Sequence, residues 1–272
     1  MDVSFALTLS AAVVALGCFV SGFRRLRRRG QHYVSWSQAA FYAAGVGVGV
    51  LAVSPPVDSV ADKLLSAHML QHLLLGDVMP MLLLLGVRGP MSVFVLPAPV
   101  LRRVGRLRVV QRIVTTALKP EVALIAFALV LGAWHVPAAY DFAIAHESVH
   151  VVEHISFVLA GLLVWTQIVA PSRHKRASAG RRALFAVAVL GLGMVLSEVL
   201  LLSSPLYQHY RAVLDRPFGL SAAEDQNRAG LLMMGEQIAT LGTAAALLVW
   251  THVEAVSPWS PATETPAAPD VR

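Results

Sequence analysis

The sequence predicts an all-helical protein that crosses a membrane seven times. Three observations lead to this fold class. Of the 272 residues, 56% are hydrophobic and only 14% are charged, whereas a soluble domain carries about 25% charged residues. The apolar residues are gathered into seven segments of a length suited to a bilayer, which takes about 20 residues to cross. The basic residues lie between these segments, so the net charge of +6 does not indicate a nucleic-acid-binding protein.

The seven apolar segments lie at residues 3–23, 37–55, 64–87, 120–137, 147–170, 182–203 and 229–252. The first is not expected to be a signal peptide, because its basic cluster follows the apolar run instead of preceding it. We expect residues 1–256 to form a single seven-helix transmembrane domain. The tail at 257–272 is rich in Pro, Ala and Thr and is expected to be a disordered cytoplasmic extension.

The distribution of positive charge predicts the orientation. The cluster from Arg24 to Arg29 follows the first segment and places the N-terminus outside, since positive loops stay in the cytoplasm. The loops then predicted to be cytoplasmic, 24–36, 88–119 and 171–182, hold 5, 7 and 5 Lys or Arg. The outer loops hold only four, so an outer N-terminus and a cytoplasmic C-terminus fit every loop.

Two of the loops are long. In the inner loop, 88–119, apolar and basic residues interleave from Arg102 to Arg112. This pattern is typical of a helix lying on an anionic membrane surface, but an ordinary basic loop would also fit. The outer loop, 204–227, holds Tyr207 and Tyr210, which suit a membrane interface.

The third segment carries ionisable residues, which in a membrane span indicate function by default. His68 and His72 stand four residues apart, about 6 Å along one face of a helix. Two imidazoles at this spacing can hold one metal ion. Asp77 lies farther along the same segment, either as a functional group or as the partner of a kink at Pro80.

The fifth segment repeats the spacing at His146, His150 and His154. Successive i,i+4 steps rotate by about 40° around a helix, so His146 and His154 are about 80° apart. One ion does not easily collect all three. We therefore expect one adjacent pair to join His68 and His72 across two helices, leaving the third histidine as a separate ligand.

The predicted orientation places the remaining candidate groups at the same level, in the outer half of the membrane. They are His135 at the end of the fourth segment, Glu198 near the end of the sixth, and Met233 and Met234 at the start of the seventh. Singly, an interfacial histidine or a methionine that fills space would be ordinary. Together they indicate a metal site, with Glu153 and Glu198 placed to orient the imidazoles.

Ligand chemistry favours copper, with zinc as the alternative. Imidazole suits Zn, Cu, Fe and Ni, whereas thioether selects Cu(I). The single cysteine, Cys18, lies in the first segment, so a thiolate site is excluded within one chain. The predicted ligands are His68, His72, His150 and His154, with His135, His146, Met233 and Met234 as further candidates.

Four motifs resemble those of a known family. They are His68-Met69-x-Gln71-His72 followed by Pro80, Trp134-His135-x-Pro137-x-x-Tyr140, His146-Glu147-x-x-His150-x-x-Glu153-His154-x-x-Phe157, and Asp225-Gln226-x-x-Ala229-Gly230. In this order they resemble the CtaG family of cytochrome c oxidase assembly factors. This is the family linked to caa-type oxidases, not the single-span copper chaperone that shares its name. The resemblance covers roughly residues 35–255.

The resemblance implies a seven-span protein of the bacterial plasma membrane that helps to deliver copper to a haem–copper oxidase and is not an enzyme. It adds Gln71, Asp225 and Gln226 to the supporting polar residues, beside Asp77. The implied partners are oxidase subunits or a periplasmic copper chaperone, together with the lipid bilayer.

Two other functions remain open at this point. One is a membrane-embedded zinc hydrolase of the ceramidase-like kind, in which Asp77 or Glu153 would activate a zinc-bound water. The other is a b-type haem protein that uses histidines of facing helices as axial ligands. Metal analysis of the purified protein separates zinc from copper, and a Soret band would be required for haem.

Overall fold

A computed structural model describes residues 3–171 and 177–256, and over these residues the chain is helical with no strand. Five helical stretches are long and apolar enough to cross a membrane: Phe5–Arg29, Leu65–Gly86, Glu147–Val169, Ala179–Leu202 and Ala222–Ala255. Two bent pairs of helices raise the number to at most seven. The all-helical membrane fold is thus confirmed, with five to seven candidate spans. The predicted tail at 257–272 lies outside the described residues.

The helices are numbered in chain order. They are α1 Val3–Arg29, α2 Trp36–Ala52, α3 Pro55–Ala61, α4 Leu65–Leu73, α5 Met79–Gly86, α6 Met91–Phe94, α7 Ala98–Val104, α8 Arg108–Ala117, α9 Pro120–Trp134, α10 Pro137–Ala145, α11 Glu147–Val169, α12 Ala179–Leu202, α13 Gln208–Ala212, α14 Ala222–Gln237 and α15 Thr243–Val256. Two π-helical segments continue helices without a break, Leu74–Val78 between α4 and α5 and Ile238–Gly242 between α14 and α15. Short 3₁₀ turns lie at Gln31–Tyr33 and Pro217–Gly219.

Prolines determine where several helices break. Ser54, Lys119 and Val136 each precede a proline and have an extended backbone, with ψ of 144°, 136° and 124°. The proline ring crowds the helical conformation of the residue before it, while the proline itself fits the first turn of the next helix. As a result α2 and α3 are bent by 52°, and α8 and α9 by 76°.

Two helices extend beyond the bounds of the apolar segments that the sequence predicted. α1 continues through the basic cluster to Arg29, because arginine favours helix and its charge suits a helix C-terminus. α14 begins at Ala222, not near residue 229, because Ser221 and Glu224 form a capping box that satisfies its first N–H groups. In the long inner loop, α7 and α8 make part of the basic stretch helical, and its placement on a membrane surface stays a prediction.

Close packing of α11 against the third span positions the candidate site. α11 packs on the π-helical segment Leu74–Val78 and on α5, while α4 packs on α14. Gly161 permits this contact, since a Cβ there would overlap the carbonyl oxygen of Gly76 and approach Pro80. At the end of the bundle that holds the histidines, the buried core includes Leu65, Met69, Tyr140, Tyr207 and Met233.

Candidate metal centre

Four histidine side chains from two helices converge within the bundle. His68 and His72 come from α4, and His150 and His154 come from α11. One ring nitrogen from each lies within 4.8 Å of those of the other three. His68 and His72 are 2% and 5% exposed, whereas the α11 pair is half-buried. We call these residues the histidine cluster. The third and fifth segments therefore meet at these histidines, as the sequence predicted.

The cluster consists of two i,i+4 pairs that face each other. Within α4, the Nε2 atoms of His68 and His72 are 3.0 Å apart, and the α11 rings have centroids 4.2 Å apart. Between the helices, the ring centroids of His68 and His150 are separated by 5.1 Å, and those of His72 and His154 by 5.4 Å. The i,i+4 spacing thus directs both imidazoles of each helix toward the same point.

Several nitrogens of the cluster have no hydrogen-bond partner. His72 Nδ1, His150 Nε2 and His154 Nε2 are all buried and unpartnered. Buried polar atoms in proteins are normally paired, and leaving one without a partner costs about 1–3 kcal/mol. A neutral imidazole offers one nitrogen lone pair. Four such lone pairs around a common point fit a bound metal ion of the kind that imidazole prefers.

Glu153 places a buried carboxylate at the cluster. It lies on α11 between the two histidines, is 0% exposed, and places Oε1 3.6 Å from Nε2 of His72. Neither of its carboxylate oxygens has a hydrogen-bond partner. The side chain can therefore accept a hydrogen bond from an imidazole N–H, or add an oxygen ligand, after a small movement.

An acidic groove connects the cluster to the surface. It has a volume of about 790 Å³, and its lining includes His150 and His154 together with Asp58, Asp62 and Glu147. Desolvation and the neighbouring Asp58 carboxylate raise the pKa of Asp62 above its ordinary value. Carboxylates along a groove attract cations and raise their local concentration. The groove thus offers a cation a route to the half-buried histidine pair.

Asp225 fixes the start of α4 and so positions His68. Its Oδ2 accepts a hydrogen bond from the backbone N–H of Leu65 at 2.7 Å. Its Oδ1 accepts from the backbone N–H and the hydroxyl of Ser66, at 3.1 and 2.6 Å. A carboxylate at a helix N-terminus satisfies free N–H groups and opposes the helix dipole. Asp225 therefore acts as a cap supplied by α14 to the helix that carries half of the cluster.

His135 lies beside the histidine cluster, outside the group of four. Its ring centroid is 6.5 Å from that of His72, and its Nε2 faces the sulfur of Met69 at 3.4 Å. Met233 is buried nearby, in a small cavity that His72 and His135 also line. The structure therefore brings two of the further candidate ligands close to the predicted centre.

Three other candidates lie away from the cluster. His146 is exposed, and its Nδ1 hydrogen-bonds to the carbonyl oxygen of Phe142 at 2.9 Å. It precedes α11 with an extended backbone, φ −133° and ψ 100°, and so leaves the helical face of His150. Met234 is half-buried and does not line the cavity that Met233 lines. Glu198 is exposed on the outside of α12.

The remaining supporting candidates connect helices. Gln71 donates to the carbonyl oxygen of Ala52 at 2.9 Å and to Asp58 at 3.1 Å, which ties α4 to α2 and α3. Gln226 donates to the carbonyl oxygen of Leu200 at 2.9 Å and accepts from the N–H of Leu206 at 2.8 Å. It thereby holds the end of α12. Asp77 accepts from Trp165 and Thr240, and the histidines are not among its hydrogen-bond partners.

Two residues of the site were not among the sequence candidates. Met69 faces His135, and Tyr140 packs its ring 5.2 Å from that of His68 and 4.0 Å from that of Tyr207. Both stand in the motifs quoted above, Met69 directly after His68 and Tyr140 five residues after His135. Their position in those motifs was the available signal, although it did not indicate what either residue contacts.

Comparison with protein families gives one match. The family model for the cytochrome c oxidase caa3 assembly factor (Caa3_CtaG) matches residues 17–255. Comparisons with curated proteins and with solved structures give no significant match. The matched range includes every residue of the histidine cluster, together with Glu153, His135 and Asp225.

Proposed function

The chain belongs to the cytochrome c oxidase caa3 assembly factor family, and we propose that it binds copper at the histidine cluster and helps to deliver it to the oxidase. The protein acts in this proposal as a carrier, not as an enzyme. Copper is its cargo, received and released by exchange of ligands. The partners are an oxidase subunit that accepts copper and a donor of copper on the outer face of the membrane.

The observation that carries the proposal is the convergence of four imidazoles, three of which have a buried ring nitrogen without a hydrogen-bond partner. A histidine group that served only the fold would have its ring nitrogens satisfied by protein hydrogen bonds. Here three buried nitrogens lack partners, and ligand atoms of all four residues fall within 4.8 Å of one another. A bound metal ion would satisfy them at once.

The surroundings of the cluster favour copper among the metals that imidazole binds. Two buried thioethers, Met69 and Met233, lie next to His72 around one cavity, and thioether ligands select Cu(I). The single cysteine, Cys18, lies on α1 and is not part of the cluster. The donors near the metal are therefore imidazole and thioether beside the carboxylate of Glu153, a set that suits a transferable copper ion.

The proposed topology has seven spans, with the bent pairs α2–α3 and α8–α9 each counted as one. The N-terminus lies outside and the C-terminus in the cytoplasm of a bacterium, as the basic loops indicate. The histidine cluster then lies in the outer half of the plasma membrane, and its acidic groove opens outward. Copper can be exchanged with partners on that face without crossing the bilayer.

Handover follows from the difference in exposure between the two histidine pairs. The α11 pair is half-buried and lines the acidic groove, whereas the α4 pair is buried. An ion that arrives through the groove meets His150 and His154 first and gains His68 and His72 as it moves inward. Departure reverses this order, with Glu153 available to accept a hydrogen bond from an imidazole that is released.

A zinc hydrolase is the second candidate, and Glu153 is the observation that favours it. A buried carboxylate without partners could act as a base on a metal-bound water. However, catalytic zinc keeps one of its four positions free for water, whereas structural zinc fills all four with protein ligands. Four imidazoles at this spacing would fill the sphere. The close packing of the rings also disfavours haem, whose macrocycle must fit between its axial ligands.

Metal content of the purified protein tests copper binding. We expect His72→Ala and His150→Ala each to retain less copper than the wild type, because each variant removes a ligand of the cluster from a different helix. His146→Ala is the matched control, since His146 lies on the same chain segment but outside the cluster. Equal copper in the wild type and both cluster variants, with expression unchanged, would overturn the site.

Oxidase copper content in cells tests delivery. A strain lacking this protein should assemble an oxidase with less copper and lower activity, and the wild-type gene should restore both. His72→Ala and His150→Ala should fail to restore them, whereas His146→Ala should succeed. An oxidase of normal copper content in the deletion strain would refute delivery while leaving copper binding intact.

A further inference from the structure

A small cavity borders the histidine cluster and shares no lining residue with the acidic groove. Its volume is about 50 Å³, enough for a single water-sized particle or ion. Met69, His135 and Met233 are part of its wall, and they are 1%, 7% and 3% exposed. His72 also lines it, so the cavity and the cluster meet at this residue.

The contact between His135 and Met69 joins two lone pairs with no proton between them. His135 Nδ1 lies 2.8 Å from the carbonyl oxygen of Leu131, and because a carbonyl only accepts, Nδ1 carries the proton. Nε2 of the neutral ring is then an acceptor, and it faces Met69 Sδ at 3.4 Å. A thioether sulfur is also only an acceptor. A doubly protonated ring would place a charge in a buried, largely apolar site, which is costly.

This arrangement is what a metal-binding histidine requires. Ligating histidines almost always donate their other ring N–H to a carbonyl or carboxylate, which fixes the tautomer and aims the free nitrogen at the metal. The hydrogen bond to Leu131 does so here. If the bonds are as long as in zinc sites, about 2.1 Å to nitrogen and about 2.3 Å to sulfur, atoms 3.4 Å apart would subtend an angle of about 100° at one ion.

We propose that Met69, His135 and Met233 form a second copper site that is selective for Cu(I). Met233 belongs to the same buried core as Met69 and supplies the second thioether. All three ligands are neutral, and the cavity is lined mostly by apolar side chains, with Asp77 and Gln237 also in its wall. Such a site accommodates a singly charged ion at less cost than a divalent one. Thioether ligands add the preference for Cu(I). The proposal deepens the delivery function and rests on it for the identity of the cargo.

His72 connects the two sites. Its ring centroid lies 5.4 Å from that of His154 in the cluster and 6.5 Å from that of His135. Its Nδ1 is buried and unpartnered. Copper can therefore pass between the four-imidazole site and the thioether site by exchanging ligands at His72. The second site holds a reduced ion away from the acidic groove through which the first is reached.

Titration of the purified full-length protein with Cu(I) under anaerobic conditions, followed by X-ray absorption at the copper edge, tests the second site. We expect the wild type to bind two equivalents, with sulfur scattering at about 2.3 Å from one of them. Absence of sulfur scattering from the fully loaded wild type would overturn the proposal without reference to any variant.

Conservative variants locate the site. Met69→Leu and Met233→Leu keep the side-chain volume and remove the sulfur, so each should lose one equivalent of Cu(I) together with sulfur scattering. Met234→Leu is the matched control, being adjacent in sequence but not lining the cavity, and it should bind as the wild type does. Two equivalents with unchanged sulfur scattering in both Met69→Leu and Met233→Leu would overturn the proposal.

A further variant separates this inference from the proposed function. His150→Ala removes a cluster ligand that does not line the small cavity, so it should lose the equivalent bound through nitrogen alone and keep the one with sulfur scattering. If His150→Ala retains both equivalents, the four-histidine site fails. The methionine variants then still decide the thioether site by themselves.

Discussion

The histidine pair of α4 and the buried carboxylate of Asp77 lie along the same continuous span, Leu65–Gly86, and they differ in one respect. Both oxygens of Asp77 accept hydrogen bonds, Oδ1 from the indole of Trp165 and Oδ2 from the hydroxyl of Thr240 at 2.7 Å. In the histidine cluster, three buried nitrogens accept or donate nothing. The carboxylate of Asp77 is satisfied by hydrogen bonds within the fold, whereas the histidine nitrogens remain available to a ligand.

This difference distinguishes a structural polar group from a ligand-binding group within a membrane span. Asp77 and Thr240 lie in the two π-helical segments, Leu74–Val78 and Ile238–Gly242, so their hydrogen bond joins the third and last spans where both helices widen. We interpret it as a structural contact. The imidazoles, by contrast, keep lone pairs free at the cost of stability, which is expected of a binding site.

The largest effect is expected from Gly161→Ala, which should disturb both the histidine cluster and the surroundings of Asp77. Its Cβ would overlap the Gly76 carbonyl oxygen and approach Pro80, so α11 must move away from the third span. Overpacking of this kind typically costs about 1–3 kcal/mol. We also expect copper binding to weaken, because the two histidine pairs sit on the helices that separate.

Gly132→Ala is the matched control for this change. Gly132 lies on α9, and a Cβ there would meet nothing within 4 Å, so alanine should stabilise the helix by up to about 1 kcal/mol. Thermal unfolding in detergent and copper content measure both effects. If Gly161→Ala unfolds at the wild-type temperature and keeps its copper, the close approach of α11 is not what assembles the cluster.

Asp77→Asn should alter the hydrogen bonds around Asp77 without disturbing the histidine cluster. The amide has one oxygen and cannot accept from both Trp165 and Thr240, but the Thr240 hydroxyl can still donate to the carbonyl oxygen of Glu236 at 3.1 Å. We therefore expect the loss of one net hydrogen bond, about 0.5–1.5 kcal/mol. Copper bound at the histidine cluster should stay at the wild-type value, because Asp77 contacts none of its histidines. Glu198→Gln, at an exposed carboxylate on α12, should change neither quantity. Loss of copper in Asp77→Asn would place Asp77 in the binding site.

The sequence indicated the level of the candidate groups along the spans but not the direction in which they face. Two i,i+4 histidine pairs at one depth were enough to predict that two helices meet. His150 and His154 join the cluster and His146 does not, because α11 begins only after His146, whose backbone is extended. The spacing did not indicate which face of α12 carries Glu198, and the structure leaves this side chain exposed.

Contacts between distant segments were outside the reach of the sequence. Met69 stands next to His68 but faces His135, which directly follows the end of α9. The capping of α4 by Asp225 joins positions 160 residues apart. No local pattern encodes such a contact, whereas the proline breaks and the capping box of α14 follow from neighbouring residues alone.

The smallest effect should come from Lys63→Ala, which removes an exposed ion pair at the histidine end. Lys63 Nζ and Asp215 Oδ2 are 2.7 Å apart, and this hydrogen bond lowers the pKa of Asp215 from its ordinary value of 3.8. The ion pair thus stabilises the fold above pH of about 4 and loses its effect as the pH falls through the lowered pKa.

The unfolding temperatures of the wild type and Lys63→Ala should therefore differ slightly at neutral pH and low salt, and converge in acid or at high salt. Copper content should be the same in both proteins. A difference that persists unchanged below the pKa of Asp215 would show that Lys63 stabilises the protein by another contact.

The central claim is that imidazoles of α4 and α11 hold the same copper ion. Anomalous X-ray scattering at the copper edge, from crystals of the copper-loaded wild type, tests it most directly. The account predicts a peak enclosed by His68, His72, His150 and His154, within about 2 Å of ring nitrogens from both helices. No peak there, or a peak bound by one helix alone, would contradict it.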